Sequence, residues 1–364
     1  MNIFEYIDEF GNKSFEESPF NEVDSLVFAE LAYLYYEELI GWTAPEMTLS
    51  DLSVHKKMLV EHTWFPKSNI NLLKNAATSA RFQKVRVGWV ESYYDEEKTV
   101  QFAAVTFKLA DGTAVIAFRG TDISIVGWKE DCNMAFLSEI PAQGLSVAYL
   151  NKVAAEESNQ LIVCGHSKGG NLAIYSSVFC EDCAKQRIIA IYNHDGPGFN
   201  EKIFTKPEYV AMKNRIRKLI PHGSLVGVLL EHENEHKIVS CKSASLGQHN
   251  PFTWKVKDEN SFKEKSKNTV GSKLFDKAMY KFINDMDLEQ RKTFVGALFT
   301  IIEGSGVKYL YELKDSPLSR LRGMRKAISK LTPEEKKLMK LGGRKFVKLW
   351  LKSMVPGKDV RQYE

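Results

Sequence analysis

The 364-residue sequence lacks a long hydrophobic run, since no apolar stretch approaches the roughly 18 residues that a membrane-spanning helix needs. The N-terminal stretch MNIFEYIDEFGNKSFEE is acidic and has no apolar core of the kind found in secretory signals. The five cysteines form an odd and scattered set, which argues against a disulfide framework. These absences together predict a cytoplasmic protein in a reducing compartment.

Charge is nearly balanced over the whole chain but not along it. The 50 Lys and Arg residues exceed the 46 Asp and Glu residues by four, whereas residues 306–364 carry sixteen basic and six acidic side chains. Leu338, Leu341, Phe346, Leu349 and Trp350 alternate there with Lys and Arg at helical spacing. This pattern predicts basic amphipathic helices that either cover the protein's own surface or make peripheral contact with an anionic membrane. No nucleic-acid motif accompanies the charge, so we expect no nucleic-acid partner.

The order of secondary structure predicts an α/β fold with three regions. Residues 1–80 read as a helical N-terminal layer, in which a helix from Asp24 to about residue 39 begins with Asp24 as its N-cap. Strand patterns then cover 85–120, and strands alternate with helices over 143–241, which implies a mostly parallel sheet flanked by helices. We therefore predict a core domain at 81–258 and a basic helical extension at 259–364.

The stretch LIVCGHSKGGNLAIY contains the G-x-S-x-G pattern centred on Ser167. The apolar residues 161–164 precede it as a strand, and a helix pattern over 168–180 follows it. An acyl-transferring serine needs this strand–turn–helix context, because the sharp turn exposes its hydroxyl while small residues let strand and helix approach. Ser167 is therefore predicted to be a nucleophile.

A second chemical signal lies upstream, where the apolar strand AVIAF ends in Arg119-Gly120-Thr121. In a serine hydrolase of this type, the loop after such a strand supplies one N–H group of the oxyanion hole and the residue after the nucleophile supplies the other. We expect Thr121 and Lys168 to hold these two positions, with the Thr121 hydroxyl as an additional donor.

The base and the acid of a triad must follow the nucleophile along the chain. His249 lies in a loop after the last strand-like segment and is the predicted base, with His222 as the next candidate. The loop that usually carries the acid reads IPHGS and has no carboxylate, whereas the preceding strand ends at Asp195. Because neighbouring parallel strands lie about 5 Å apart, Asp195 is our candidate acid, and Glu231 and Glu233 remain alternatives.

The segments AFRGTD, GHSKGGNLA and QHNPFTW together resemble the lipase class 3 branch of the α/β-hydrolases, and more closely the bacterial Mbeg-like family. The similarity covers roughly residues 20–260. It implies an α/β-hydrolase fold and a lipase-like or esterase-like activity on a small-molecule or lipid acyl ester, with Ser167 as nucleophile, His249 as base, Thr121 and Lys168 at the oxyanion hole, and no cofactor or metal.

The sequence departs from the class 3 lipases at two positions, because Ser224 stands in the loop that normally carries the acid and Lys168 stands where those lipases have an apolar residue. A cation at the mouth of the site would favour an acyl group with an anionic neighbour. Residues 122–136 match the lid region of class 3 lipases, and they are expected to form either an apolar flap or packed core.

Three rival functions stay open at this point. A serine peptidase or amidase could use the same fold, and a non-catalytic binding or membrane-associated scaffold could retain the serine turn. The sequence HENEH at 232–236 also matches the H-E-x-x-H motif of zinc peptidases, although a solvated turn is the simpler interpretation of this short polar connection.

Overall fold

The computed structural model describes residues 1–55, 59, 63–199, 203–230, 236–243 and 245–342. Within these residues, none of the helices has the length and apolar character needed to cross a membrane. The described residues form one sheet whose nine strands lie in the same order in space as in sequence.

The sheet combines two kinds of strand pairing. The strands are β1 (Met47–Thr48), β2 (Arg86–Asp95), β3 (Val100–Lys108), β4 (Ala114–Phe118), β5 (Leu161–His166), β6 (Ile188–His194), β7 (Ile216–Pro221), β8 (Lys237–Val239) and β9 (Glu264–Lys265). Pairs from β1 to β4 are antiparallel, pairs from β4 to β8 are parallel, and β8 pairs with β9 antiparallel. The α/β-hydrolase fold is confirmed, but the sheet is mixed rather than mostly parallel, because short turns join β2 to β3 and β3 to β4 and make these neighbours antiparallel.

Twelve helices with defined ends accompany the sheet in the described part of the chain. They are α1 (Ile3–Phe10), α2 (Glu22–Leu31), α3 (Leu49–Leu52), α4 (Pro66–Thr78), α5 (Ile125–Asn133), α6 (Pro141–Glu156), α7 (Lys168–Phe179), α8 (Asp182–Lys185), α9 (Pro207–Met212), α10 (Val270–Asn284), α11 (Leu288–Glu303) and α12 (Pro317–Lys330). A further helix covers 333–342, and Thr332 caps it by accepting a hydrogen bond from the N–H of Glu335.

The central strands are buried on both faces by helices. On one face, Val115, Ala117, Ile162 and Cys164 pack with the N-terminal helices. On the other, Ile116, Phe118 and Val163 pack with α6 and α7. Alternate residues of a strand point to opposite faces, so two helical layers cover strands that read as continuous apolar runs.

The helix α2 differs from its prediction at both ends. Asn21 is the N-cap, and Asp24 instead closes the capping box by accepting from the N–H of Asn21. The helix ends at Leu31 rather than near residue 39. The Arg119 guanidinium donates to the carbonyl oxygens of Ala32 (2.9 Å) and Leu34 (2.7 Å), so a side chain satisfies carbonyls that a longer helix would have used.

The C-terminal helices pack on the sheet domain. Phe275 of α10 packs with Ile220 of β7 and with Leu225 and Val228 after it. Val295 and Phe299 of α11 pack against Ile125 of α5. Both helices lie before the basic segment 306–364, so the covering role expected for that segment stays a prediction, and its residues Phe346, Leu349 and Trp350 lie outside the described residues. The proposed boundary between 258 and 259 stays a prediction, although β9 lies beyond it.

A buried ion pair ties the N-terminal layer together, and its removal is expected to destabilise the fold. Arg81 and Asp24 have side chains that are 1% and 0% exposed, and the guanidinium donates twice to the carboxylate, at 2.8 Å and 2.5 Å. R81M would leave the carboxylate buried without its partner, so we expect the free energy of unfolding to fall by about 3–5 kcal/mol. Urea denaturation measures this, with R86M at an exposed strand position as the control. Equal stability of the two variants would contradict the prediction.

Candidate active site

Ser167 lies at a strained turn between β5 and α7. Its φ and ψ are 58° and −132°, a conformation that non-glycine residues rarely adopt. A Cβ on Gly165 would collide with the backbone of Gly169, and one on Gly169 would collide with Phe118 at the end of β4. The glycines of the G-x-S-x-G pattern therefore permit the close approach of strand and helix that keeps Ser167 half-exposed at the edge of the sheet.

His249 and Asp195 form a hydrogen-bonded pair next to this turn. The Nδ1 atom of His249 lies 2.7 Å from Oδ2 of Asp195, whose side chain is fully buried. A carboxylate accepts this hydrogen bond, so Nδ1 carries the proton and a neutral His249 presents an unprotonated Nε2. The His249 ring lies 4.5 Å from the ring of His166, the residue directly before Ser167. The structure thus brings the predicted base and acid together, and it places the base against the residue that precedes the predicted nucleophile.

Two further donors fix the other oxygen of Asp195. The hydroxyl of Ser224 donates to Oδ1 at 2.5 Å, and the N–H of Gly227 donates to the same atom at 3.1 Å. Ser224 lies in the loop after β7. The carboxylate thus comes from β6, and the loop after β7 supplies a hydroxyl that orients it.

The predicted oxyanion donors, Thr121 and Lys168, lie at the same edge of the sheet, because β4 and β5 are adjacent parallel strands with Phe118 opposite Gly165. Within the described residues, neither backbone N–H is engaged in a hydrogen bond. The Thr121 hydroxyl instead donates to Asp131 at 2.5 Å. The expectation that this hydroxyl adds a third oxyanion donor is therefore wrong for this arrangement.

The side chain of Lys168 does not lie at the mouth of the site. It is 1% exposed, and its ammonium donates to Glu130 at 2.8 Å and to both the backbone carbonyl and the side chain of Gln101, at 2.7 Å and 2.8 Å. Glu130 and Asp131 raise the pKa of this ammonium despite its burial. The expectation of a cation that attracts an anionic substrate is therefore wrong, because carboxylates of α5 already neutralise the charge.

The ring of His166 makes a hydrogen bond to the backbone of His249. Its Nε2 lies 3.0 Å from the carbonyl oxygen of His249, and its Nδ1 lies 3.1 Å from the hydroxyl of Tyr33. Burial and the neighbouring His249 hold the pKa of His166 well below its usual value, so its ring is neutral. The ring then donates a hydrogen bond from Nε2 and accepts one from the Tyr33 hydroxyl at Nδ1. A Cβ on Gly120 would collide with Tyr33, so the oxyanion loop packs against the same support.

The other candidates for the base and the acid are His222, Glu231 and Glu233. His222 donates its backbone N–H to Val239, and its side chain has no bond to Asp195 in the described part of the chain. Glu231, Glu233 and most of the HENEH motif lie outside the described residues. Among the residues that are described, no cluster of His, Cys, Asp and Glu side chains has the arrangement of a metal site.

Comparison with known proteins identifies the family. The model of the Mbeg1-like family matches residues 76–300, which include β2 to β9, Ser167, Asp195 and His249. The chain belongs to the Mbeg1-like family. No curated protein matches it. Among solved structures, the chain is similar to M37 lipase, with 17% identity over 58% of this chain and 70% of that one and a TM-score of 0.39.

In this Mbeg1-like chain, the segment 122–136, for which the sequence left an apolar flap or packed core open, is held at two positions of α5. Ile125 of α5 is buried against α11, and Glu130 is held by Lys168 and by the N–H groups of Gln101 and Ala142. Trp128 points to solvent and is 41% exposed. One apolar residue of the segment is therefore part of a core cluster and another is exposed, and α5 is joined to the first turn of α7 by the ion pair between Glu130 and Lys168.

Sequence reasoning missed the residues that hold the site. Glu130, Tyr33 and Gly227 carry no motif, and each acts through a contact between elements that are distant in sequence. The buried position of Lys168 offered the only signal, because a lysine in a tightly packed turn requires a carboxylate partner.

The ion pair between Lys168 and Glu130 can be tested through its effect on stability. K168M leaves the Glu130 carboxylate buried without a cation, so we expect the free energy of unfolding to fall by about 3–5 kcal/mol. The double variant K168M/E130Q removes both charges and is expected to recover part of that loss. Chemical denaturation of K168M, E130Q and the double variant measures the coupling, and simple additivity would contradict it.

Proposed function

We propose that this protein is a serine hydrolase that cleaves a carboxylic ester or thioester through a covalent acyl-enzyme. The observation that carries the proposal is the His249–Asp195 hydrogen bond beside the strained turn at Ser167. This combination of an exposed hydroxyl, an oriented imidazole and a buried carboxylate supports general-base activation of the serine.

The proposed reaction has two halves, which are acylation of Ser167 and hydrolysis of the acyl-enzyme. Ser167 Oγ attacks the acyl carbon while its proton passes to His249 Nε2, and Asp195 stabilises the resulting imidazolium. The N–H groups of Thr121 and Lys168 donate to the oxyanion of the tetrahedral intermediate. Collapse breaks the acyl–oxygen or acyl–sulfur bond, and the leaving group takes the proton from His249. Water then attacks the acyl-enzyme with His249 as base and releases the acid.

Two tryptophans support an apolar substrate at this site. The indole N–H of Trp64 donates to the carbonyl oxygen of Thr121 at 2.9 Å, and its ring lies 6.0 Å from that of Trp128. Both side chains are about two-fifths exposed, at 38% and 41%. Indole rings next to an oxyanion donor provide a surface for an acyl chain or an aromatic leaving group, so small apolar esters are the first substrates to test.

The central experiment combines an active-site probe with ester turnover. A fluorophosphonate is expected to label the wild type and not S167A, and p-nitrophenyl esters are expected to be hydrolysed by the wild type alone. D195N should lower kcat by about ten-thousandfold, because the imidazole loses the acceptor that fixes its tautomer. E231Q is the comparison, and loss of activity in E231Q but not D195N would refute the assignment of the acid.

The same panel separates the rival functions. Faster cleavage of peptide anilides than of esters would indicate a peptidase or amidase. Folded wild-type protein that neither reacts with the probe nor hydrolyses any ester would indicate a non-catalytic scaffold. Stoichiometric zinc and loss of activity on chelation would indicate the metallopeptidase suggested by HENEH.

Tyr33 is expected to act as a positioning residue for this reaction. Y33F removes the hydroxyl that donates to His166, so the ring that supports the His249 carbonyl loses its fixed tautomer. We expect kcat to fall by about three- to tenfold, the range of one neutral hydrogen bond, with little change in KM. The control is Y36F, since the Tyr36 hydroxyl is buried and makes no hydrogen bond with described residues. Equal kcat values for the two variants would contradict this role.

A further inference from the structure

A buried lysine without a partner lies outside the proposed active site. Lys218 of β7 is 8% exposed, and its ammonium makes no hydrogen bond or ion pair within the described residues. Burying a charge without compensation is unfavourable by several kcal/mol in general, so proteins pair such groups or place a ligand beside them. Lys168, which is also buried, has two carboxylates near it.

Lys218 lines a cavity of about 60 Å³ behind the turn that follows Asp195. The walls include apolar side chains, among them Ile174, Phe199 and Phe204. Pro197 and Gly198 of the turn also line the cavity, and Asn171 holds their carbonyl oxygens at 3.2 Å and 2.8 Å. Since one water-sized probe needs about 10–15 Å³, the space suits a group of roughly four to six heavy atoms.

A second unused donor lies next to Lys218. Asn193 pairs in register with Lys218 across β6 and β7, and it also lines the cavity. Its Oδ1 accepts from the N–H of Gly196 at 2.7 Å, which fixes the orientation of the amide, and its buried Nδ2 has no hydrogen-bond partner in the described part of the chain. Two unsatisfied donors, one of them cationic, therefore adjoin a small cavity with apolar walls.

The carboxylates nearest to Lys218 do not form an ion pair with its ammonium. Asp195 and Asp276 act on the ammonium from a distance, but neither lies within ion-pair range, and Asp195 is already bonded to His249, Ser224 and Gly227. Burial lowers the pKa of Lys218 to about 8 in spite of these carboxylates. Lys213 and Tyr209 also line the cavity and have interactions of their own.

We propose that this cavity binds a small oxyanion, with the Lys218 ammonium and the Asn193 amide as its donors. A phosphate and a short carboxylate such as acetate both have the required charge and size. The low-polarity walls strengthen the attraction between ammonium and anion, since less water screens it. The site is separate from Ser167 and His249, and the proposal does not depend on ester hydrolysis.

Calorimetric titration and thermal unfolding test this proposal on the full chain. Sodium phosphate and sodium acetate are titrated separately, with sodium chloride at matched ionic strength as the reference. We expect at least one oxyanion to bind and to raise the Tm beyond the chloride effect, and the stronger of the two identifies the ligand class. Absence of binding by both would overturn the proposal.

Variants show whether Lys218 is the binding group. K218M keeps the length of the side chain and removes its charge, so we expect affinity for the oxyanion to fall at least tenfold. R217M removes a cation from the exposed neighbouring position and should change affinity less than twofold. Binding that is equal in both variants would overturn the assignment.

The wild type offers an independent measurement that does not require the variant to fold. Acetate carries one charge throughout pH 7–10, so a loss of its affinity in this range reflects the protein. The titratable groups around the ammonium are Asp195 and Asp276, which act on its charge, and Lys213 and Tyr209, which line the cavity. As Lys218 loses its proton, affinity is expected to fall by about tenfold per pH unit above pH 8. Constant affinity from pH 7 to pH 10 would contradict the role of this ammonium.

Discussion

The close backbone contact among β4, β5 and α7 is the constraint on which the candidate site depends. Gly165 and Gly169 let the strand and the helix touch, and Ser167 between them takes a positive φ that costs an ordinary residue of order 1–3 kcal/mol. Hydrogen bonds on both sides hold this conformation, since the N–H of Ser167 donates to the His194 carbonyl at 2.9 Å and its own carbonyl accepts from Gly170. The packing of a buried helix thus maintains an exposed hydroxyl.

Asp195 lies at a similar strained turn, directly after the adjacent strand β6. It also has a positive φ, and its N–H donates to the carbonyl of Leu219 on the adjacent strand at 2.8 Å. The turn directs the carboxylate toward His249, and Ser224 supplies a hydroxyl from the loop after β7. Residues from two neighbouring strands therefore act together, because one supplies the carboxylate and the other orients it.

The sequence predicted the local features of the fold and the site better than the contacts between distant elements. The strand at 161–166, the helix that follows it and the pairing of His249 with Asp195 agree with expectations from spacing and strand order. The end of α2 did not, because Arg119 takes the carbonyls there. The burial of Lys168 and the position of residues 122–136 both depend on the tertiary contact with Glu130. Neither periodicity nor a motif encodes such a contact.

Lys168 and Lys218 show how one residue type acquires opposite properties in one domain. Both are buried beside central strands, but carboxylates of α5 raise the pKa of Lys168, whereas burial lowers that of Lys218. A lysine that is kept charged by its neighbours stabilises the fold and fixes α5 on the nucleophile helix. A lysine that is left without such neighbours destabilises the fold unless a bound anion completes its surroundings. Its presence on a central strand, beside an amide with an unused donor, therefore favours a binding role over a purely structural one.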